Sequence, residues 1–307
     1  GAWSKAMGGA ISGFADALES IDPDVVLLSG DRAETLSLCV AAAYMGLPIA
    51  HIQAGDKSGH IDDAARYAIA KLAHVHFASC EDSANRLKAL GEEEFRIFNT
   101  GAPQLDDLNR DFTSRVTHLN GQSQVSAPYI MLVMHPLMVD RHHAQEELAA
   151  SIEACLAFDL PIVCIYPNSD LGYAETMKTI KRYQQDGRIT FVENLDRDVY
   201  LELLFNASVL VGNSSSGILE APSFRVPVIN IGERQRGRPQ ASNILNCGTS
   251  KEEIERFISV ALHDREFLEK CQAAVNPYGD GNSSPRICEI ISGIDLGRRL
   301  LDKKSTI

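Results

Sequence analysis

The sequence predicts an α/β protein of two doubly wound, Rossmann-like domains, the first lacking its opening strands. Three observations carry this. Short β-branched runs alternate with amphipathic stretches of helical period, each run of the first series closes on Gly or Ser, and the alternation recurs on both sides of a polar stretch in a chain of 307 residues. That length suits two domains of roughly 100 to 200 residues each. Alternation of this kind gives a parallel sheet covered on both faces.

In chain order, "DVVLLSG" (24–30), "PIAHIQAG" (48–55), "AHVHFAS" (73–79) and "FRIFNTG" (95–101) read as buried parallel strands. Amphipathic stretches such as "ETLSLCVAAAYMG" and "DDAARYAIAKLA" lie between them. The polar "THLNGQSQVSAP" (117–128) reads as a linker. Beyond it come "YIMLVMH", "PIVCIYP", "ITFVEN", "SVLVGN" and "VPVINIG", with "NILNCG" a candidate sixth strand. The second set is complete enough for a doubly wound sheet. The first has only four strands and begins inside a helix, so its opening strands are expected to be missing. The expected domains are 1–122, acid-rich at its rim, 123–283, and a tail 284–307. No internal repeat or low-complexity tract is evident.

Composition narrows the function. A hydrophobic content of 45% with 23% charged residues describes an ordinary globular protein. No apolar run reaches the ~18 residues needed to span a bilayer, and "GAWSKAMGGAISG" lacks the plan of a signal peptide, so a cytoplasmic protein is expected. Seven widely spaced cysteines show no CxxC or His/Cys ligand spacing, which reads as buried thiols and no metal site. A net charge of −12 opposes nucleic acid and anionic membrane as partners. A phosphate-bearing ligand must therefore be held by a local cluster of donors.

In open α/β sheets ligands lie beyond the carboxyl ends of the strands. After the first strand stand Gly30, Asp31, Arg32 and Glu34; the second leads into "HIQAGDKSGHIDD", with Asp56, Asp62 and Asp63, and Arg66 one turn later. In the second series His135 ends one strand, "GNSSSGILEAPSF" (212–224) follows another, and "ERQRGRPQ" with Arg234, Arg236 and Arg238 follows the next. Carboxylates gather on one domain's rim and arginines on the other's. Each has a plainer explanation. Acids at a helix start complement its dipole for ~0.3 to 1 kcal/mol with no chemistry implied. Asp31 suits an ordinary turn, His135 a satisfied loop histidine, the arginines a solvated run, and the serines an N-cap. Three hydroxyls and exposed N–H groups at a helix start nonetheless make an anion site, with an arginine loop one strand away. Glu220 would repel a phosphate beside it, so it suits ribose hydroxyls instead. The pair describes a nucleoside diphosphate. Neither GxxxxGK[ST] nor GxGxxG is present, which argues against a P-loop NTPase and a dinucleotide fingerprint. One nucleotide-binding and one acid-rich domain fit nucleotide-sugar chemistry.

The stretches "SGDRAET", "HIQAGDKSGHIDDAARYAIAKLAHVHFAS", "NTGAPQLD", "GNSSSGILEAPSFRVPVINIGERQRGRPQASNIL" and "NPYGDGNSSPRI" together resemble the hydrolysing UDP-N-acetylglucosamine 2-epimerases of sialic-acid pathways. The resemblance covers nearly the whole chain. It implies the two-domain GT-B architecture, a final helix packing back on the first domain, a UDP-sugar substrate, no cofactor, and a homo-oligomer, dimer or tetramer. By the same resemblance Asp31 and Asp62 are catalytic carboxylates and His135 a functional histidine. Asp56 stands where close relatives carry Glu, one methylene longer. Gln53, where a non-hydrolysing branch carries a catalytic Glu, is assigned no role. Arg66 matches a partner position on the same helix as Asp62 and is expected among the substrate-binding residues. Ser214, Ser215, Ser216, Gly217 and Glu220 map onto the nucleotide site, with Arg234 and Arg238 beside it. The family's N-terminal arginine-bearing loop has no counterpart in these residues.

The implied reaction eliminates UDP across C1 and C2 of the sugar to give 2-acetamidoglucal, then hydrates it with the opposite configuration at C2, releasing N-acetylmannosamine. A UDP-2,4-diacetamido-2,4,6-trideoxyglucose substrate, on the route to legionaminic acid, is the alternative sugar. A GT-B glycosyltransferase is a second class, and a UDP-sugar-binding remnant without turnover a third.

Overall fold

The computed structural model describes residues 1–57, 62–112, 116–119, 123–136, 143–167, 173–304 and 306. The loop 58–61, the side chain of Asp62 and residues 168–172 after the strand run "PIVCIYP" lie outside the described residues. The chain divides into two compact units, Gly1–Asp107 with Pro277–Ile307, and Leu108–Asn276.

In the first unit the elements are α1 (Ala2–Ile21), β1 (Val26–Ser29), α2 (Ala33–Tyr44), β2 (Ile49–Ile52), α3 (Asp62–Leu72), β3 (Val75–Ala78), α4 (Glu81–Ala89) and β4 (Ile97–Asn99). The strands form one parallel sheet in the order β1-β2-β3-β4, with Leu27 opposite Ala50 and Phe77 opposite Phe98. Side chains alternate between its faces. Leu28 and Ile49 pack with Leu18, Ala42 and Ile69 on one side. Ala50, Val75 and Phe77 pack on the other with Ile287 and Leu300 from the chain's last helices.

The second unit contains β5 (Val116–Leu119), β6 (Ser123–Ser126), β7 (Ile130–Val133), α5 (Ala144–Leu156), β8 (Ile162–Ile165), α6 (Tyr173–Tyr183), β9 (Ile189–Val192), α7 (Arg197–Asn206), β10 (Val209–Gly212), α8 (Ser216–Leu219), α9 (Ala221–Phe224), β11 (Val228–Ile231), β12 (Ile244–Cys247), α10 (Lys251–His263) and α11 (Arg265–Gln272). Its six parallel strands run β9-β8-β7-β10-β11-β12 across the sheet. Numbered within the sheet this is 3-2-1-4-5-6, the doubly wound order, whose reversal point lies between β7 and β10. The strands are apolar runs because helices cover both faces. Ile130, Leu132, Val209, Val211 and Ile229 are buried with Leu148, Ile152, Ile254 and Ile258.

Two expectations are corrected. The stretch 117–128 is no plain linker: β5 and β6 pair antiparallel, Thr117 opposite Val125, and bury Leu119 and Val125. The change of unit falls at 107/108 instead of 122/123. The reason is the segment after Leu108: the Phe112 ring stacks on Phe205 at 5.3 Å and meets Phe224 edge-on at 4.9 Å, and Arg110 pairs with Asp198 at 2.5 Å.

From Pro277 the chain rejoins the first unit through α12 (Ser283–Gly293) and α13 (Arg298–Leu301). The Asp106 carboxylate accepts from the Ser283 and Ser284 amides at 2.8 and 2.7 Å, satisfying two donors of the first turn of α12. Fully buried Arg96 donates to the Leu300 carbonyl at 2.6 Å. Lys303 caps α3, donating to the carbonyl of Ala73 at 2.7 Å and that of Lys71 at 3.1 Å. It also pairs with buried Glu92 at 2.6 Å, which stands 3.1 Å from His76. Burial alone would raise Glu92, but hydrogen bonds from His76 and Lys303 outweigh it and hold the carboxyl at about 2. Among the described residues no helix is long and apolar enough to cross a membrane. Of the seven cysteines only Cys288 is exposed.

Three histidines of this unit are buried neutral. Burial lowers His51 to about 3, His74 to about 4, and His76 as well, against the pull of Glu92. An unfolded histidine titrates near 6.5, so below that pH the unfolded chain binds more protons and stability falls. The sign is fixed: stability is full above pH 6.5 and is lost as pH drops from 6.5 toward 4, by about 1.4 kcal/mol per pH unit for a group as deeply buried as His51. Urea titrations between pH 7.5 and 4.5 should show a falling midpoint at constant slope; a flat midpoint would contradict the burial.

Candidate functional site

The carboxyl ends of β7, β10 and β11 meet at the reversal point of the second sheet. Gly212 closes β10 with φ +137°, and a Cβ there would lie 2.0 Å from the Val133 carbonyl oxygen, so only glycine allows β10 to approach β7 this closely. Asn213 follows, 2% exposed. Its side chain accepts from the His135 amide and donates to the His135 carbonyl, both at 2.8 Å. Its own carbonyl accepts from Arg234 at 3.1 Å and Gln235 at 2.8 Å, which ties down the loop after β11.

The serine turn departs from the expected helix start. α8 and α9 are single turns that meet at Glu220, where Pro222 has no N–H to continue the ladder. The amide of Ser216 donates to the Ser214 hydroxyl at 3.3 Å, that of Gly217 to the Ser214 carbonyl at 3.2 Å, and that of Ile218 to the Ser215 carbonyl at 3.0 Å. A four-residue helix carries little dipole, so an anion at this turn would have to be held by hydroxyls and arginines. Gly217 serves packing: a Cβ would stand 2.9 Å from the Val228 side chain on β11.

A pocket of about 320 Å³ opens at this corner, lined by His135, Arg197, Tyr200, Ser214, Ser215 and Glu220 over apolar Val133, Ile165 and Leu195. Glu220 is 6% exposed, and burial raises its pKa although Arg197, 3.3 Å away, pulls the other way. Burial, then the charge of Glu220, pushes the Tyr200 phenol up to about 12, while the neighbouring Ser216 and Ser214 hydroxyls oppose the shift. Tyr200 thus keeps its proton and can donate. Arg234 and Arg238 are half-buried, whereas Arg236 pairs with Glu233 at 3.0 Å on the surface.

In the first unit β1 ends at Gly30, φ +78°, whose carbonyl accepts from His51 Nε2 at 2.8 Å. Asp31 follows and pairs with buried Arg66 of α3. Arg66 also donates to the Gln53 carbonyl at 2.8 Å, and Gln53 is held at φ +60°. A left-handed non-glycine costs about 1 to 2 kcal/mol, which the arginine contact helps to offset. Gln53 therefore has a backbone role. Asp56 turns toward α4, one oxygen accepting from the Ser83 hydroxyl at 2.7 Å. Asp62 starts α3, its side chain outside the described residues. Asp31 and Arg66 are thus in contact, whereas Asp56 has its own anchor. Among the described residues no group of three or more acidic, His or Cys side chains is placed to hold a metal ion.

Sequence reasoning missed Asn213, Arg197 and Tyr200. Asn213 was hidden in a turn where Asn is ordinary. Arg197 and Tyr200 stand three apart on α7, the spacing that puts both on one helix face just past the end of β9. That spacing was the available signal.

Residues 1–292 match the family described as UDP-N-acetylglucosamine 2-epimerase. A UDP-N,N'-diacetylbacillosamine 2-epimerase (hydrolyzing) of Legionella pneumophila is 35% identical over 98% of this chain and 79% of its own length. A Campylobacter jejuni GDP/UDP-N,N'-diacetylbacillosamine 2-epimerase (hydrolyzing) is 32% identical, over 79% of this chain and 65% of its own. The crystal structure of UDP-GlcNAc 2-epimerase from Neisseria meningitidis bound to UDP-GlcNAc superposes with TM-score 0.81 at 21% identity, covering 95% of this chain and 82% of that one. The doubly wound sheets and the match along nearly the whole sequence lead to one conclusion: the chain belongs to the UDP-N-acetylglucosamine 2-epimerase family.

Proposed function

We propose that the protein is a hydrolysing 2-epimerase that releases UDP and the free 2-epimer from a UDP-2-acetamido sugar. The single observation that carries the reading is the pocket at the reversal point of the second sheet, where the Ser214–Ser216 hydroxyls, Glu220, Arg197 and His135 converge. The names of the Legionella and Campylobacter relatives support a 2,4-diacetamido-6-deoxy sugar ahead of UDP-N-acetylglucosamine.

The chemistry sets the division of roles. The C2 proton is weakly acidic, so the C1–O bond to UDP breaks first, the electron pair leaving with the diphosphate and the ring becoming oxocarbenium-like. A base then takes the C2 proton to give the glycal. Water adds its hydroxyl at C1 while a proton returns to C2 on the opposite face. Carboxylates near the ring stabilise the cation, as in glycoside hydrolysis. Asp31, oriented by Arg66, and Asp62 are assigned this work together with the proton transfers. Asp56, anchored on Ser83, is a third carboxylate of the same rim. Acid–base help contributes about 10² to 10⁴ in rate, and each preorganised donor to the departing anion about 3 to 4 kcal/mol. Ser214, Ser215, Arg234 and Arg238 are assigned to the diphosphate and His135 to its sugar end. Glu220 accepts from the ribose hydroxyls.

Incubating the protein with UDP-N-acetylglucosamine and with UDP-2,4-diacetamido-2,4,6-trideoxyglucose in deuterated water tests reaction and sugar together. Deuterium at C2 of the released 2-epimer is expected; product without the label contradicts elimination. Asp31→Asn and Asp62→Asn should each lower turnover by about 10² or more while UDP affinity changes little. Ser215→Ala with Glu220→Ala should weaken UDP by about 10- to 100-fold instead, the loss of hydrogen bonds to charged groups. Equal losses in both sets would undo this division.

The raised pKa of Glu220 gives a second check. Its carboxylate accepts from ribose, so UDP affinity should fall as pH drops through a value above the ordinary carboxylate range. Arg197 opposes the burial, so Arg197→Met should move that loss to still higher pH. Glu220→Gln should remove that component, leaving the titration of UDP and of the other pocket groups. Calorimetric titrations from pH 7.5 to 4.5 read all three, and identical profiles for the wild type and Glu220→Gln would contradict the ribose role.

A further inference from the structure

We propose that Asn213 is a positioning residue for His135, setting the backbone of the strand end from which that histidine enters the nucleotide-sugar pocket. The inference rests on the function proposed above. It stands on geometry that no assigned site residue explains. The Asn213 carboxamide lies against the main chain of His135 as a second peptide group would, Oδ1 accepting from the amide and Nδ2 donating to the carbonyl, each at 2.8 Å. Both groups belong to His135, two residues beyond Val133, the last residue of β7 paired with β10. The side chain thus supplies one further rung that the parallel sheet cannot.

The arrangement is fixed from below and from the side. The Asn213 amide donates to the Val133 carbonyl at 3.2 Å, and Gly212 permits the approach. The Asn213 carbonyl is held by Arg234 and by buried Gln235, so the residue cannot turn without releasing the loop after β11. The carboxamide provides one acceptor and one donor in this plane, which neither an apolar side chain nor a carboxylate anion does. An apolar residue leaves the His135 amide and carbonyl unpaired, and a carboxylate sets a negative oxygen against the carbonyl. The main-chain contacts of Asn213 survive either change, so the serine turn and arginine loop keep their places.

The test uses Asn213→Ala and Asn213→Asp in the full chain, with both UDP-sugars as substrates and UDP as the binding probe. Asn213→Ala should lower kcat about 100-fold, the cost of a misplaced group, with the Kd for UDP changed less than threefold. A carboxylic acid, unlike its anion, can donate to the His135 carbonyl. Turnover of Asn213→Asp relative to wild type at each pH should therefore recover as pH falls, while that of Asn213→Ala stays low throughout. A flat Asn213→Asp ratio, or parallel losses of kcat and UDP affinity in Asn213→Ala, would overturn the proposal. Amide hydrogen exchange of the unaltered protein decides the matter if a variant does not fold or if neither sugar is turned over. The His135 amide should be protected like those of β7, and exchange at the rate of an unstructured peptide would overturn the clasp. Absence of UDP release by the wild type with a protected His135 amide would count against the proposed function, and against the catalytic purpose of the clasp with it.

Discussion

The close approach of β10 to β7 is the constraint on which the rest of the candidate site depends. A single missing Cβ, at Gly212, lets the end of one strand lie against the Val133 carbonyl of the other. Once that contact is made, Asn213 reaches His135, the serine turn begins beside it, and the Asn213 carbonyl is presented to Arg234 and Gln235. Three loops that are distant in sequence are thereby tied at one residue. The doubly wound strand order places this knot where ligands gather in open α/β sheets.

Electrostatics then distinguish the corner from the surface around it. A net charge of −12 makes the bulk field repel a nucleotide diphosphate. Within the pocket Arg197 is the cation set beside the Ser214 and Ser215 hydroxyls, and Arg234 is held next to them on the Asn213 carbonyl. Glu220 is the exception among them, a carboxylate kept at 6% exposure beside Arg197. Burying a carboxylate is costly unless it is paired, so its retention suits a role as acceptor. In the other unit the order is inverted: Arg66 is the buried partner, and Asp31 the group it presents.

Much of this was legible in the residues. Every strand of both parallel sheets was announced by an apolar run, most plainly β3, β7 and β10, which are buried throughout and leave no alternation to disguise them. The candidate sixth strand "NILNCG" proved to be β12, parallel to β11. Asp31 and Arg66 were named apart and lie in contact. The failures have physical causes. The stretch 117–128 looked like linker because its composition is polar, although its hairpin buries Leu119 and Val125. The unit boundary was hidden because Phe112, an isolated aromatic, finds partners in α7 and α9 that no local pattern reveals. The helix expected after the serines is broken at Glu220, a consequence of Pro222 that the sequence did display. Asn213 and Tyr200 act through contacts between loops and helices far apart in the chain, which periodicity does not encode.

The central claim is that the serine corner of the second unit, not any other surface of the chain, holds the nucleotide. A crystal structure of the protein with UDP tests it most directly. The account predicts diphosphate density against the Ser214 and Ser215 hydroxyls, with the ribose hydroxyls donating to Glu220 and the Arg197 guanidinium displaced or shared. Density for UDP distant from Ser215 and Glu220 would contradict it.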